Sequence, residues 1–468
     1  MIFKSQFSRG SAIKWFTVVV LGFMVRTDKL GITSVLRALS IAPKCYESII
    51  HFFRASSWSL TDIQACWYET VSRHMQLFKH MDKAILVGDG TKHSKEGRYM
   101  PGVKKFAQES ETQSKPGYIH GHMWGGVGVL IGKVREFSCA PLSLKIQDGL
   151  QAVCDWNGTN PVSHVIQMIR DGVLAAQGLK RDAIFLLDRY YLSVPALLEL
   201  NQENAAKQYK VDIITRLKKS TIAYEPAPAK LPGQRGRTRK KGEKVKLIEL
   251  FERQSEQFKS QKLDLYGKTY HTRYLCVDLL WGQGLYQKLR FVLVEYDGTR
   301  CILASTDLTL SPLDIIQLYS YRVRIEHMFR ELKQELGGFS YHFWTKALPR
   351  LNHFKKKTDP DPLLQVTNSH DQKRILQTIR ATQMYALLSC IAMGILQSLS
   401  IDFSNGVFKQ PLRYQRTPAK TKPSEANMMF CLRQRIFSLL ASHAQNEIPH
   451  LILSVQSSYD DCGCDKAA

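Results

Sequence analysis

The chain has 468 residues, of which 44% are hydrophobic and 10% aromatic, a composition that excludes a largely disordered protein. Its length allows two to four domains at roughly 100–200 residues each. Lys and Arg number 65 against 41 Asp and Glu, so the net charge is +24. This excess favours a polyanionic partner, with nucleic acid ahead of a membrane surface, over a basic protein whose positive charge is only solvated.

Residues 1–80 are predicted to be all helical. An apolar run at 15–25 follows three basic residues, as in a signal peptide. It is too short to cross a membrane and lacks a small-residue cleavage site, so we expect a buried first helix.

Two more helical patterns, at 31–40 and 43–54, are separated by a short break. The second carries the basic side chains Lys44, His51 and Arg54. The pair predicts a helix-turn-helix that binds DNA, with an ordinary helical bundle as the alternative.

Strands begin at residue 83 and alternate with helices from there. Asp89 and Asp188 each follow a short apolar run, so each is predicted to close a strand. The alternation predicts a mixed α/β sheet that presents carboxylates at strand ends. The predicted strands are 83–89, 123–132, 134–146 and 183–188, and the predicted helices are 161–176 and 193–206.

Residues 211–310 interrupt this pattern with a series of strand-like runs, which predicts a β-rich insertion. The runs lie at 211–218, 263–270, 273–280, 289–296 and 301–305.

A loop at 226–242 in the same region is rich in Pro and Gly. This composition predicts an arm that grips phosphates, or alternatively a solvated linker. Its basic residues are Arg235, Arg237, Arg239, Lys240 and Lys241.

Helix returns at 311–336, with an N-cap at Ser311, a first-turn proline, and a glycine pair that ends it. On a continuous helix, four polar residues fall within a sector of roughly 60° beside a buried apolar stripe. The four are Tyr319, Arg322, Glu326 and Lys333. Carboxylates bind cations and cationic groups bind phosphates, so this face suits a DNA-cleaving site; the alternative is a solvent face with an Arg322–Glu326 pair. Further helices are predicted at 371–399 and 426–441, followed by a disordered end.

Asp89, Asp188 and Glu326 together have the chemistry of a two-metal site. Carboxylate oxygens suit hard divalent cations, and a pair of such cations can stabilise both the attacking and the leaving oxygen of a phosphodiester. We therefore expect two Mg²⁺ ions, with Mn²⁺ as a substitute.

These motifs resemble the insertion-sequence transposases of the DDE class, and most closely their insertion-sequence-four branch. That branch has the signature Tyr-x2-Arg-x3-Glu-x6-Lys, which reads here Tyr319-Ser-Tyr-Arg322-Val-Arg-Ile-Glu326-His-Met-Phe-Arg-Glu-Leu-Lys333. The flanks Gly88-Asp89-Gly90-Thr91 and Leu187-Asp188-Arg189 also look like the family. The resemblance covers about 83–345.

The resemblance implies a ribonuclease-H-like core interrupted by a β-rich insertion, with helical N-terminal and C-terminal regions. It makes Asp89, Asp188 and Glu326 the metal triad, and Tyr319, Arg322 and Lys333 contacts to the DNA backbone at the element end. Some members stack a displaced base on a tryptophan of the insertion. Trp281 is the only tryptophan of the insertion and is therefore the candidate for this stacking role. The alternative is that Trp281 packs in the core.

The implied organisation is a DNA-binding region at 1–80, a catalytic core at 81–210 and 311–345, an insertion at 211–310, and a helical region at 346–468. The implied activity is metal-dependent cleavage at element ends and transfer of the 3′-OH strand into target DNA. We expect double-stranded DNA and a second copy of the chain as partners, in a prokaryotic, nucleoid-associated cytoplasmic setting. Neither a membrane nor a nucleotide cofactor is expected, since no phosphate-binding glycine loop is present. The alternatives are an inactive DNA-binding repressor and a nuclease of the same fold.

Several other candidates are given structural roles. His120 and His122 form a possible metal pair but have no third ligand nearby in the sequence. Ten cysteines without zinc-finger spacing are read mainly as buried thiols, and Cys462 with Cys464 is a weak metal-binding pair. Asp148 and Asp182 are alternative carboxylates but are not assigned to the triad. Glu331 and Glu335 are expected to be solvated.

Overall fold

The computed structural model describes residues 2–108, 117–134, 136–156, 158–229, 237–352, 360–403 and 422–456. Arg235 and the Cys462 and Cys464 pair lie outside the described residues, as does the predicted disordered end. The chain forms two compact units. Unit 1 comprises Met1–Phe78, Gly90–Val162 and His327–Ala468, and unit 2 comprises Lys79–Asp89 and Ser163–Glu326.

Helices come first along the described residues, the strands and helices of a mixed α/β structure follow, and helices end it. The strands are β1 (Lys79–His80), β2 (Lys83–Ser94), β3 (Lys104–Ala107), β4 (Tyr118–Lys133), β5 (Glu136–Ile146), β6 (Ala183–Leu187), β7 (Val211–Arg216), β8 (Ile222–Tyr224), β9 (Lys244–Lys246), β10 (Lys259–Leu265), β11 (Lys268–Trp281), β12 (Gln287–Tyr296) and β13 (Thr299–Ser305). The helices are α1 (Gly10–Val25), α2 (Thr33–Ala38), α3 (Tyr46–Arg54), α4 (Leu60–His74), α5 (Gln151–Trp156), α6 (His164–Leu179), α7 (Val194–Ala206), α8 (Leu250–Arg253), α9 (Pro312–Ser320), α10 (Arg324–Gln334), α11 (Ser369–Asp402), α12 (Glu425–Ser442) and α13 (Glu447–Leu453).

Unit 2 is built on three parallel strands followed by an antiparallel series. Its sheet runs β2-β6-β7-β13-β12-β11, with β2, β6 and β7 parallel and the later pairs antiparallel. Every side chain of β6 is buried, as expected for the middle of a parallel sheet covered on both faces. This arrangement confirms the predicted ribonuclease-H-like mixed sheet and the β-rich character of 211–310. Strand β7, which the sequence assigned to the insertion, instead pairs in parallel with β6 and so belongs to the core sheet.

The predicted strand at 263–270 is wrong. The chain turns at Tyr266 and Gly267, whose φ angles are +52° and +81°, so β10 and β11 form an antiparallel hairpin. Two consecutive positive φ angles are what a tight two-residue hairpin needs. A tyrosine at the first position concealed this turn in the sequence.

The predicted continuous helix at 311–336 is also wrong in its middle. A tighter 3₁₀ turn at Tyr321–Val323 separates α9 from α10. Both predicted ends are confirmed, because the Ser311 hydroxyl accepts from the Asp314 N–H at 3.1 Å and Gly337 has a φ of +61°. The angles between Tyr319 and Lys333 therefore cannot be calculated from a continuous helix with 100° per residue.

Unit 1 combines the antiparallel pair β4–β5 with helices packed around α11. The predicted buried first helix is confirmed as α1, which packs against α11. Residues 1–78 thus share a core with the C-terminal helices, whereas the sequence suggests separate regions at 1–80 and 346–468. Among the described residues, α11 alone is long and apolar enough to span a membrane, but 78% of its apolar window is buried within the protein.

Arg26, directly after α1, ties the start of the chain to the end of α10. Its side chain is 1% exposed and donates to the carbonyl oxygens of Leu336 and Gly337, and to the Tyr385 hydroxyl at 3.0 Å. The last carbonyls of a helix lack partners within the helix, so this guanidinium satisfies them and complements the helix dipole.

Candidate active site

Asp89 and Asp188 lie next to each other on neighbouring parallel strands. The β2–β6 register pairs Ala84 with Ala183 and Val87 with Leu186. Continued by two residues, this register places Asp89 beside Asp188. Neighbouring strands are about 4.8 Å apart, so the two residues lie side by side at this edge of the sheet.

Asp188 follows β6 directly, as predicted, but Asp89 does not end its strand. Strand β2 continues through Asp89 to Ser94. Beyond Asp89 the chain belongs to unit 1, where His93 and Ser94 lie against Gly121 of β4. These contacts extend the strand past the apolar run from which its end was predicted.

Gly88 allows the two strands to approach closely just before the carboxylates. A Cβ atom at this position would lie 2.5 Å from the Phe185 ring and 2.8 Å from Leu187. A larger side chain would therefore displace β6 at the residue preceding Asp188.

Arg322 connects the third carboxylate to the first. Its guanidinium donates to Asp89 Oδ2 at 2.6 Å and to Glu326 Oε1 at 2.9 Å. Burial opposes its charge, but Asp89, Tyr319, Asp188 and Glu326 together raise the pKa of Arg322. The three acids therefore belong to one electrostatic environment in unit 2, and Arg322 is a cation at all working pH values.

The donor set fits hard divalent cations, although a guanidinium now pairs with two of the three acids. Carboxylate oxygens are the ligands that Mg²⁺ prefers. Within the described part of the chain, no three acidic, His or Cys side chains are arranged as a ready-made metal site. Arg322 therefore competes with any cation for Asp89 Oδ2 and Glu326 Oε1.

Arg216 is a site residue that the sequence did not reveal. The β6–β7 register pairs Leu187 with Thr215, so the next position places Arg216 beside Asp188. Its side chain is exposed. Only the pairing of these two strands would have shown that a cation lies at the same sheet edge as the acids.

Two tyrosines, Tyr319 and Tyr191, lie close enough to the acids to feel their charge. Tyr319 is largely enclosed, and burial and the charge of Asp188 raise its pKa although Arg322 opposes this. The sequence did not reveal Tyr191, whose N–H donates to the Asp188 carbonyl at 3.0 Å. Burial, followed by the charge of Asp89, raises the pKa of Tyr191. Both hydroxyls therefore stay protonated and can donate hydrogen bonds.

Lys333 lies in unit 1, where its amine donates to Thr91 Oγ1 at 2.5 Å and to the Lys92 carbonyl at 3.1 Å. Burial lowers the pKa of Lys333. Its contact with DNA stays a prediction.

The basic side chains of the arm differ in their exposure to solvent. The side chains of Arg237, Arg239 and Lys240 are exposed. The Lys241 amine instead lies over the Tyr224 ring, 4.0 Å from the centroid. Three cations are thus accessible to a ligand, whereas the fourth is held against an aromatic ring.

Trp281 ends β11 and is half-buried. It is therefore neither a fully enclosed core residue nor a freely exposed ring, and its stacking role stays a prediction.

The set-aside candidates have structural partners. His122 is buried, with one ring nitrogen 2.5 Å from the Tyr341 hydroxyl and the other 2.8 Å from the Pro101 carbonyl, so neither nitrogen is available to a metal. Asp148 pairs with Lys104 at 2.9 Å, and Asp182 accepts from a backbone N–H.

The prediction that Glu331 and Glu335 are solvated is wrong. Both side chains are partly buried, and burial, followed by the nearby carboxylate of Glu425, raises the pKa of Glu331. The sequence gives no information on what packs against these two side chains.

A mixed α/β sheet with two acids at neighbouring strand positions and a third on α10, linked through Arg322, is compatible with a nuclease that cleaves DNA. The sequence model of one family, described as DDE superfamily endonuclease, matches residues 3–266, more than half of the chain. The chain belongs to this family. Neither a curated protein nor a solved structure matches it. The matched segment includes Asp89 and Asp188 but not Glu326. Glu326 is therefore linked to the other two acids only through the hydrogen bonds of Arg322.

Proposed function

We propose that the protein is the DNA transposase of a bacterial insertion sequence. It cleaves DNA at the element ends and transfers the resulting 3′-OH into target DNA. The observation that carries this proposal is the adjacency of Asp89 and Asp188 by register, together with the guanidinium of Arg322 that bonds both Asp89 and Glu326.

Asp89, Asp188 and Glu326 would hold two Mg²⁺ ions, or Mn²⁺ in their place. When bound, such ions supply an activated nucleophile and stabilise the leaving oxygen of the phosphodiester. Arg322, once it releases a carboxylate, is free to pair with a phosphate of the bound strand. Tyr319 donates its hydroxyl hydrogen bond to a phosphate oxygen, since its pKa lies above the ordinary value.

Double-stranded DNA is the proposed partner, and the exposed cations of unit 2 support this. Arg216 lies at the edge that bears the acids, and Arg237, Arg239 and Lys240 are exposed on the arm. Contacts of this kind go to the phosphate backbone and position the duplex without reading its sequence. Joining two ends requires two active sites, so we propose a homodimer acting on nucleoid DNA.

A test begins with a supercoiled plasmid that carries the DNA flanking this gene. The wild-type protein should nick it only with Mg²⁺ or Mn²⁺, whereas Asp188→Ala should lose nicking by roughly 1000-fold or more and retain DNA binding. Asp182→Asn is the matched control, because Asp182 lies at the other end of the same strand. Undiminished nicking by Asp188→Ala would refute the site.

The family description leaves one rival function, a nuclease without strand transfer. Pre-cut ends incubated with a target plasmid separate the two. A transposase yields joined product with Mg²⁺, whereas a nuclease leaves the ends unjoined.

A further inference from the structure

Trp344 is an exposed aromatic residue that borders three clefts of unit 1. Half of its surface is accessible, an unusual degree for a tryptophan. The clefts have volumes of about 670, 310 and 410 Å³, and Trp344 lines each of them. The ring therefore stands where the three clefts meet.

The chain around Trp344 alternates strictly between the interior and the solvent over residues 341–346. This is the pattern of an extended segment with one face in the core. The buried side chains are Tyr341, Phe343 and Thr345, and the exposed ones are His342, Trp344 and Lys346. The exposed face is thus set by the packing of the opposite face.

Buried groups hold this segment in place. The Lys95 amine donates to the carbonyl oxygens of Phe339 and Tyr341 at 2.6 and 2.8 Å, and His122 contacts the Tyr341 hydroxyl at 2.5 Å. The Trp344 N-terminal neighbour, Phe343, packs against other aromatic rings. The backbone that carries the exposed tryptophan is therefore held in place before any ligand binds, which lowers the entropy that binding costs.

The charged side chains that line the clefts are mainly basic, with one acid, Glu96, in the largest and one, Glu47, in the cleft of about 410 Å³. Lys346 and Arg374 line the same cleft as Arg54, and that cleft has no acidic lining residue. Arg98 lines the largest cleft with Lys346. These four cations have no carboxylate partner among the described residues.

We propose that this surface binds an unpaired strand of DNA, with a base stacked on Trp344 and phosphates paired with Arg54, Lys346 and Arg374. An exposed aromatic face takes any unpaired base, whereas the bases of a duplex are already stacked on each other. Basic side chains on both sides follow the backbone. The inference rests on the proposed function in that it takes DNA as the ligand, and it concerns residues of unit 1 whereas the three acids belong to unit 2.

The test measures the binding of fluorescent oligothymidylate of about 15 nucleotides, and of a duplex of equal length, by anisotropy without metal. Trp344→Ala should weaken oligothymidylate binding by roughly 10-fold or more, and duplex binding by much less. Trp344→Phe, which keeps a stacking ring, should stay within about 3-fold of wild type. Phe437→Ala is the matched control, because Phe437 is 46% exposed and lines none of the three clefts.

Equal oligothymidylate affinities for Trp344→Ala and Phe437→Ala would overturn the inference. Equal losses for the single strand and the duplex would also overturn it, because base stacking would then play no part. Metal-dependent nicking by the same variants tests the proposed function separately. Wild-type protein that never nicks DNA would end that function, while the anisotropy results would still decide the role of Trp344.

Discussion

At the scale of single residues, Arg322 controls the charge of the candidate site. One guanidinium bonds Asp89 and Glu326, and a third carboxylate is adjacent by register. Like charges this close repel each other unless a cation lies between them. Under the proposed function, Arg322 and a bound Mg²⁺ would be alternative counter-ions for the same acids.

Replacing Arg322 with Gln should raise the affinity for Mn²⁺ by about 10-fold, because the competing guanidinium is removed. Mn²⁺ binding can be followed by electron paramagnetic resonance, and plasmid nicking should fall at the same time. Arg253→Gln is the control, since Arg253 pairs with Glu249 on a short helix. Unchanged Mn²⁺ affinity would show that Arg322 does not compete for the acids.

Lys83 and Asp307 form a partly buried ion pair at 2.7 Å, which predicts a pH-dependent stability. Burial alone would raise the pKa of Asp307, but hydrogen bonds from Lys83 and Thr309 outweigh it and lower the pKa. The contribution is therefore complete above the unfolded-state pKa of about 4 and is lost as the pH falls below it.

Accordingly, Asp307→Asn should reduce the free energy of unfolding by about 1–3 kcal/mol at pH 7, and by less at pH 3. Urea unfolding at both pH values measures this. A difference that stays constant or grows with acidification would contradict the assignment.

At the scale of elements, Arg26 holds the chain at the end of α10, the helix that carries Glu326 in its first turn. Arg26→Met would leave the Leu336 carbonyl buried without its donor, whereas the Gly337 carbonyl keeps the Tyr385 hydroxyl and the Ser340 N–H, so we expect a loss of about 1–3 kcal/mol in unfolding free energy. Arg37→Met removes an exposed pair with Asp28 and should cost under about 1 kcal/mol. Similar losses in urea unfolding for both variants would show that Arg26 does not cap the helix.

Elements differ in how far the sequence reveals them. The apolar runs before Asp89 and Asp188, the cap at Ser311 and Gly337 are local signals. They located β6 and both helix ends correctly, whereas β2 continues past Asp89 to Ser94. The 3₁₀ turn at 321–323 has no glycine or proline to mark it. The position of Arg216 depends on which strands pair, and strand pairing is a property of the fold.

At the scale of the whole molecule, the charge of +24 predicts DNA binding that depends steeply on salt. Each phosphate neutralised contributes about 0.9 to the slope of log affinity against log salt. Replacing Arg237, Arg239 and Lys240 by Ala should therefore reduce that slope by about 2–3 for a duplex. Anisotropy titrations over a range of NaCl concentrations measure it.

The control for the arm replaces Lys246 and Arg253 by Ala, because both pair with Glu249. An equal change of slope in the control and the arm variant would mean that the arm makes no specific phosphate contacts.

The most direct test of the central claim is anomalous diffraction from crystals of the wild-type protein soaked in Mn²⁺. We predict Mn²⁺ peaks coordinated by Asp89, Asp188 and Glu326, with Arg322 withdrawn from at least one carboxylate. Mn²⁺ bound away from these acids would contradict the account. So would the absence of any ion shared by the three carboxylates in crystals of protein that cleaves DNA in solution.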